Sequence, residues 1–246
     1  TKAENTNTYR YTARFGFLYH LFFYVTGGGS TMTGGREDYL KALYYLGEKQ
    51  DRVTNKELAQ TLHVSSPSVS EMVNRLYKEG YIDYIAYKGS RLTPSGMELA
   101  LSVTRSHRLW EVFLTEYLHY TWSEAHEEAH LLEHCTSKRL ACRLDAYLQH
   151  PVFCPHGSFI PPADGVPTVR RLRPLSSLTE GETSHIRKIT EETELMDYLQ
   201  EEGIYIGMKI TLEKSGKYEG PLLLKTAKRS ILLSYKAAAK IFVDLP

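Results

Sequence analysis

The stretch from His126 to His134 constrains the fold of this chain more than any other. Read as a helix that begins after Ser123, it repeats its polar side chains at positions i, i+4, i+7 and i+8, which lie on one side: His126, His130, Glu133 and His134. A folded helix holds such imidazole and carboxylate groups in place for a divalent cation. The stretch therefore predicts a metal-binding helix, and the alternative is a solvated polar face.

The same stretch contains the pentapeptide H-E-x-x-H, in which zinc peptidases place two histidine ligands and a general-base glutamate. Here these residues are His126, His130 and Glu127. The pentapeptide is short enough to occur by chance, and a peptidase also needs a third ligand and a substrate cleft. A zinc peptidase is therefore one alternative for the function of the chain.

Length and composition limit the number of domains and the classes of partner that the chain can have. The 246 residues are enough for two or three small domains. A net charge of +1 gives no global preference for nucleic acid, so any such contact would require a local basic surface. Three cysteines that form no C-x-x-C pair favour a reducing cytoplasm over a disulfide framework: Cys135, Cys142 and Cys154.

Residues 1–31 differ from the rest of the chain. Their aromatic run, Phe15 to Val25, is too short to span a bilayer, and no signal-peptide cleavage site follows it. A run of glycines stands a few residues before Met32, as a purine-rich ribosome-binding site would if it were translated. We therefore predict that Met32 is the native start, that residues 1–31 are a non-native or upstream extension, and that the protein has no membrane partner.

The next segment predicts a helix-turn-helix. Its first short helix begins with a capping box of Thr54 and Glu57, and its second begins with the cap residue Ser65 and ends at Gly80. A strand and a basic turn follow, as in the wing of a winged helix. Small polar side chains and cations on the outward face are suited to DNA bases and phosphates: Ser65, Ser66, Pro67, Ser68, Ser70, Glu71, Asn74, Arg75, Lys78 and Arg91.

Further helices and a small β region follow. A long helix from Pro94 to about Leu118 places His107 and Glu111 one turn apart. It is followed by the histidine-rich helix and by a helix over 137–149, and this much apolar helical surface commonly dimerises. Short strand candidates after residue 183 predict a small barrel.

These motifs together resemble the diphtheria toxin repressor family of metal-dependent repressors, and most of all its manganese-responsive branch with a C-terminal SH3-like domain. The motifs that carry the resemblance are Ser65 to Val73, His107 to Leu114, His126 to His134 and Cys154 to Gly157. The resemblance covers residues 32–246. It implies a mainly α fold with a small β domain: a winged helix-turn-helix domain (32–95), a helical dimerisation and metal-binding domain (96–163), a linker (164–182) and an SH3-like domain (183–246).

The resemblance also implies two metal sites. One joins Asp38 to His107, Glu133 and His134, with His130 as a further ligand. The other joins residues of the helical domain and its loop to one residue of the SH3-like domain: Glu111, Cys154, His156 and Glu191.

Two positions of the first site depart from the family pattern. His130 stands where manganese-type relatives have glutamate and iron-type relatives have cysteine, and Lys41 stands where binuclear manganese regulators have a metal-bridging glutamate. A neutral nitrogen in place of an anionic oxygen moves the preference toward zinc, cobalt or iron(II), and manganese is the weakest binder of the divalent series. Mn²⁺ is therefore the expected cofactor, with Fe²⁺ or Zn²⁺ as alternatives.

The sequence thus predicts a cytoplasmic, dimeric, metal-dependent transcriptional repressor. It would bind palindromic double-stranded operator DNA when loaded with metal and repress metal-uptake genes, with no catalytic activity and no small-molecule substrate. The alternatives are the zinc peptidase and a winged-helix regulator whose histidine face is purely structural.

Overall fold

The computed structural model describes residues 35–48, 50–163 and 171–245. The predicted extension over residues 1–31 and the predicted start at Met32 lie outside these ranges. Residues Arg36–Pro246 form one compact unit. None of the helices in the described ranges is long and apolar enough to cross a membrane.

The N-terminal part packs three helices against a hairpin: α1 (Arg36–Gly47), α2 (Asn55–Leu62), α3 (Ser66–Lys78), β1 (Ile82–Ile85) and β2 (Gly89–Leu92). The predicted capping box is confirmed, since the Thr54 side chain accepts from the backbone of Glu57 and the Glu57 side chain accepts from that of Thr54. Ser65 caps α3 in the predicted way. One apolar cluster, which includes Leu40, Leu58 and Val73, joins all three helices.

The middle part is helical: α4 (Pro94–Leu118), α5 (Trp122–Glu133) and α6 (Lys138–Tyr147). The prediction that the histidine-rich helix begins after Ser123 is wrong, because α5 begins at Trp122. Thr121 is the cap, and it forms a reciprocal capping box with Glu124. The first helical residue therefore lies one position before Ser123, while the predicted helical face is unaffected.

Residues 171–245 form a six-stranded antiparallel sheet in the order β3-β8-β4-β5-β6-β7. Bulges between β4 and β8 and between β5 and β6 bend it around one core. The elements are β3 (Leu172–Pro174), the 3-10 turn Leu175–Ser177, β4 (Thr183–Ile189), α7 (Thr193–Glu201), β5 (Lys209–Ser215), β6 (Leu222–Lys225), β7 (Ser230–Leu233), α8 (Tyr235–Ala238) and β8 (Ile241–Asp244).

Part of the predicted linker belongs to this sheet. Strand β3 pairs with β8, and Leu175 and Leu178 are buried in the core. The linker prediction is therefore wrong for residues 172–178, because a three-residue strand is too short to show an alternating pattern. Residues 164–170 lie outside the described residues.

The sheet docks on the N-terminal end of α5. Trp122 contributes its indole to the core of the sheet, and its backbone N–H donates to the Gln200 side chain at 2.7 Å. The Ser123 hydroxyl donates to Asp197 at 2.5 Å. These contacts place β4, and the residues that follow it, against the helical part.

Gly157 marks a second contact, between the loop after α6 and β4. Its φ is +79, and a Cβ atom added there would lie 1.9 Å from the Arg187 carbonyl oxygen. On the same side, the backbone N–H of Ile189 donates to the His156 carbonyl at 3.0 Å. Glycine therefore allows the loop to approach the strand this closely.

We expect Gly157→Ala to destabilise the protein by about 3 kcal/mol, because it adds a backbone collision to the roughly 1–2 kcal/mol cost of a left-handed alanine. Gly181→Ala is the matched control, since φ there is +85 and no described atom lies within 4 Å of an added Cβ. Urea unfolding of both variants measures the difference. Equal losses of stability would mean that the contact with Arg187 relaxes without cost.

Candidate metal centres

Potential ligands gather in two clusters. The first centre consists of Asp38, His130, Glu133 and His134, whose ligand atoms lie within 4.8 Å of one another. The second centre consists of two overlapping groups that satisfy the same limit: His107, Glu111, His126 and Glu191, and Glu111, Cys154, His156 and Glu191. Every residue predicted as a metal ligand lies in one of these centres.

The first centre joins α1 to the end of α5. Asp38 comes from the first turn of α1, and its Oδ1 lies 3.0 Å from Nε2 of His134. On α5, His130 Nδ1 and His134 Nε2 lie 3.1 and 3.5 Å from Oε1 of Glu133. Their spacing of three and four residues places these side chains on one helical face.

The donor atoms of the first centre suit a divalent ion. Asp38 Oδ1 is buried, and its short contact with His134 lies outside hydrogen-bond alignment. A close contact without an aligned hydrogen bond is expected when the two ligand atoms point toward the same position and not toward each other. Two carboxylates and two imidazoles form a donor set that Mn²⁺, Fe²⁺ and Zn²⁺ all accept.

Lys41 also enters the first centre. Its ammonium donates to both carboxylate oxygens of Glu133, at 2.6 and 2.8 Å. The sequence identified Lys41 only as a missing bridge, because the pairing joins residues 92 positions apart in the chain.

The second centre is built around Glu111 of α4, whose carboxylate is fully buried. Its Oε1 lies 2.9 Å from Nε2 of His107, 2.8 Å from Nδ1 of His126 and 3.2 Å from Nδ1 of His156. Cys154 Sγ lies 3.8 Å from the His156 ring nitrogen. Three imidazoles therefore surround one carboxylate oxygen, and the thiol contacts one of these imidazoles.

Three buried atoms of this cluster have no hydrogen-bond partner among the described residues, namely Nδ1 of His107, Oε2 of Glu111 and Nε2 of His156. An unsatisfied buried polar group costs about 1–3 kcal/mol. A purely structural histidine face would have paired them, so this observation disfavours that alternative. The same atoms are available as ligands to an ion.

Glu191 reaches the second centre from the sheet. It follows β4, and its Oε1 accepts a hydrogen bond of 2.8 Å from the Ser158 hydroxyl. The sheet therefore contributes a carboxylate to a cluster otherwise made by the helical part and its loop.

His107 touches both centres. The resemblance assigned it to the site of Asp38, and its Nδ1 does lie 2.7 Å from Oε2 of Glu133. Its Nε2, however, lies 3.1 Å from Nδ1 of His126 and faces Glu111. The ring therefore stands between the two centres.

His126 is a candidate ligand that the predicted ligand sets omitted. The available signal was its place as the first histidine of the repeating face on α5. His126 lies in the second centre and His130 in the first, while Glu127 is exposed. A zinc peptidase needs both histidines on one ion, so this division disfavours the peptidase alternative.

The residues of both centres form charged networks. Burial opposes ionisation of Glu111, but the neighbouring His107 and His156 lower its pKa well below the usual value. Burial likewise opposes the charge on His156, but Glu111 and Cys154 raise its pKa well above the usual value. The pKa of Glu133 is lowered in the same way, because the close imidazoles of His107 and His130 outweigh its burial.

The predicted DNA-binding residues are all exposed on α3 and the hairpin. Two of their cations make ion pairs, Arg75 with Glu79 at 2.9 Å and Arg91 with Asp83 at 3.1 Å. Such exposed pairs contribute about 0–1 kcal/mol and can be exchanged for phosphate contacts. The DNA-binding face stays a prediction.

His134 should release a proton when metal binds. The Asp38 carboxylate, together with Glu37, raises the pKa of His134 to about 9, so the ring is protonated at neutral pH. The raised pKa stabilises the metal-free fold below pH 6.5, and this contribution is lost as pH rises through about 9. Since a ligating nitrogen must be free of its proton, metal binding at pH 7.5 should release it, and less should be released near pH 10.

Calorimetric titration of Mn²⁺ in buffers of different ionisation enthalpy measures this release. His134→Gln should release fewer protons than wild type. His150→Gln is the matched control, because His150 pairs with Asp145 at 2.7 Å and belongs to neither centre. Heats that do not depend on the buffer would contradict the expectation.

Metal affinity at the second centre should rise with pH. Burial, and next the Glu111 carboxylate, raise the pKa of the Cys154 thiol. The thiol must lose its proton to ligate, so affinity should increase by up to about tenfold per pH unit below that raised pKa.

Cobalt(II) titration followed by its thiolate charge-transfer absorption reports this ligation. Cys154→Ser should lose the absorption and most of the pH dependence. Cys142→Ser, at an exposed thiol, should behave as wild type. An absorption that survives in Cys154→Ser would exclude Cys154 as a ligand.

Three family models match the chain. The model described as "Iron dependent repressor, N-terminal DNA binding domain" matches residues 31–90. "Iron dependent repressor, metal binding and dimerisation domain" matches residues 93–162, and "FeoA domain" matches residues 173–245.

Individual relatives agree with these matches. The iron-dependent repressor IdeR of Mycobacterium tuberculosis (strain ATCC 25618 / H37Rv) is 30% identical over 191 residues, which cover 72% of this chain and 83% of that protein. The diphtheria toxin repressor of Corynebacterium diphtheriae is 32% identical over 155 residues, which cover 62% of this chain and 69% of that protein.

Solved structures agree as well. A manganese-dependent transcriptional repressor in complex with manganese superposes with a TM-score of 0.79 at 33% identity, over 86% of this chain and 100% of that chain. ScaR with bound Cd²⁺ superposes with a TM-score of 0.74 at 34% identity, over 86% of this chain and 100% of that chain. The predicted fold class and resemblance are confirmed, and the chain belongs to the diphtheria toxin repressor family of metal-dependent transcriptional repressors.

Proposed function

We propose that this repressor uses Mn²⁺ as its cognate ion, with Fe²⁺ and Zn²⁺ as competitors, and binds palindromic operator DNA as a homodimer when loaded with metal. The proposal is supported by the first centre, in which the ligand atoms of Asp38 from α1 lie close to those of three residues at the end of α5: His130, Glu133 and His134. Two parts of the chain that are far apart in sequence share one set of ligands.

This arrangement links metal to DNA through α1. Leu40 and Leu43 of α1 belong to the core that also holds Val69 and Val73 of the recognition helix α3. Asp38 and the ligands of α5 would hold the ion together, and the ion would supply an electrostatic link between the two helices. Asp38 thereby orients α1, and α1 orients α3, so metal and operator favour the same conformation.

The donor sets support divalent ions of intermediate hardness. The first centre offers two carboxylates and two imidazoles, and the second adds a thiol. Among solved relatives, one is a complex with manganese and another carries Zn²⁺. Because Mn²⁺ is the weakest binder of the series, we propose that its availability in the cell contributes to selection.

An exposed aromatic face supports dimerisation. Phe113 and Tyr117 of α4 stack at 5.6 Å, and Tyr117 lies 5.3 Å from Tyr147 of α6. Tyr117 and Tyr147 are 42% and 59% exposed, and Leu118 of α4 and Leu140 of α6 are exposed as well. Exposed apolar surface of this kind marks protein interfaces, and a two-fold dimer matches a palindromic site.

We further propose that the protein acts in the cytoplasm, represses metal-uptake genes and has no catalytic activity. The exposed polar residues of α3 and the wing support operator binding. The family consists of transcriptional repressors, and the separation of His126 from His130 leaves the peptidase motif without a shared ion.

Removal of metal should abolish operator binding while the protein stays folded. An operator is first selected from a random double-stranded library with the Mn²⁺-loaded wild type. Chelation should then raise the dissociation constant by roughly 5- to 150-fold, the usual range of allosteric coupling. Fluorescence anisotropy measures binding, and circular dichroism checks the fold.

Asp38→Ala should weaken operator binding in the presence of Mn²⁺ to the level of the chelated wild type. Glu98→Ala is the matched control, because Glu98 is 76% exposed and pairs only weakly with Lys138 at 3.3 Å. A metal response of wild-type size in Asp38→Ala would remove Asp38 from the centre. Equal operator affinity with and without metal in the wild type would refute the mechanism.

A further inference from the structure

Lys41 is a cation placed inside the first centre. Its side chain is 14% exposed, and it faces a Glu133 carboxylate that is fully buried. The ammonium contacts both carboxylate oxygens, at 2.6 and 2.8 Å. Lys41 stands one turn after Asp38 on α1, so the same helix supplies a ligand and a permanent positive charge.

The contacts of Glu133 leave little room for further cations. A carboxylate has about four lone-pair sites, two on each oxygen. On Oε2, Lys41 occupies one, and His107 Nδ1 lies 2.7 Å away without an aligned hydrogen bond. On Oε1, Lys41 occupies one, and the other faces the imidazoles of His130 and His134. Lys41 therefore shares both oxygens of Glu133, and Oε1, which faces the histidines of the first centre, is the oxygen that Glu133 can offer to an ion.

The charges of the first centre also favour a single divalent ion. Asp38 and Glu133 together carry two negative charges, and Lys41 cancels one of them. One divalent ion then leaves the group with a single positive charge, whereas two ions would leave three positive charges around the buried Glu133 carboxylate. Close like charges in a site of low dielectric are strongly unfavourable. Glu37 does not change this balance at the ligand atoms, because it contacts the other side of the His134 ring.

We infer that Lys41 is a tethered cation that limits the first centre to one divalent ion and weakens its affinity for that ion. The inference rests on the proposed metal binding at the first centre. The ammonium shares Glu133 with the ion and repels it, so it fixes both the number of ions and the concentration at which the centre fills. Lys41 is thus a specificity-determining residue and not a ligand.

The test counts ions and measures affinity in the full-length chain. Wild type, Lys41→Met and Lys41→Glu are dialysed against saturating Mn²⁺, and bound metal per protomer is measured by mass spectrometry. Lys41→Glu should hold one ion more than wild type. Lys41→Met should hold the wild-type number, because two ions would still leave two positive charges when no carboxylate replaces the lysine. It should bind at the first centre at least about tenfold more tightly, because a neighbouring positive charge is removed.

Two control variants show whether the changes in ion count and affinity arise at the first centre. Lys138→Glu makes the same change of net charge at an exposed ion pair and should leave both count and affinity unchanged. Asp38→Ala should lose one ion, which identifies the first centre in the count. Circular dichroism of each metal-free variant confirms that it is folded.

Equal ion counts in Lys41→Glu and wild type, or equal affinities in Lys41→Met and wild type, would overturn the inference while leaving an ion that depends on Asp38. If Asp38→Ala holds as many ions as wild type, the proposed metal binding at the first centre fails, and the inference fails with it. The two failures are therefore distinguishable.

Discussion

The buried carboxylate of Glu133 is the constraint on which the arrangement of the helices depends. A carboxylate removed from water costs several kcal/mol unless charged or hydrogen-bonded partners surround it. Its partners come from three helices, with Lys41 on α1, His107 on α4 and His130 on α5. If α1 moved away, part of this counter-charge would be lost. The position of the DNA-binding part is thus tied to the charge balance around one side chain.

The sheet is held against the helical part by the chain's own atoms. Trp122 lies in its core, Ser123 donates to Asp197, and Ser158 donates to Glu191. The sequence predicted a small barrel that a linker over residues 164–182 joins to the helical part. An ion at the second centre would add to these docking contacts. The sheet places Glu191 within ligand distance of Glu111.

The sequence predicted most helices correctly because their signals are local. The side chains of Thr54 and Ser65 each accept a hydrogen bond from a backbone N–H three residues later, so the cap and its partner both lie within one short sequence motif. The contacts within the two centres instead join residues that are far apart in the sequence. Lys41 contacts Glu133, which lies 92 positions away, and no local pattern in α1 indicates this contact. The resemblance supplied Asp38 and Glu191, but it could not supply a role for a lysine that departs from the family.

The two centres follow from the pitch of two neighbouring helices. Helices α4 and α5 are joined by the short turn at residues 119–121 and run antiparallel. Glu111 contacts His126, and His107, one turn earlier on α4, contacts Glu133, about two turns later on α5. Two turns of helix rise roughly 10 Å, which separates the clusters at the two ends of α5. The spacing H-E-x-x-H on α5 alone cannot distinguish one shared ion from two separate ones. The choice is made by α4, which presents a carboxylate opposite His126 and an imidazole opposite Glu133, and so divides the ligands of α5 between two centres.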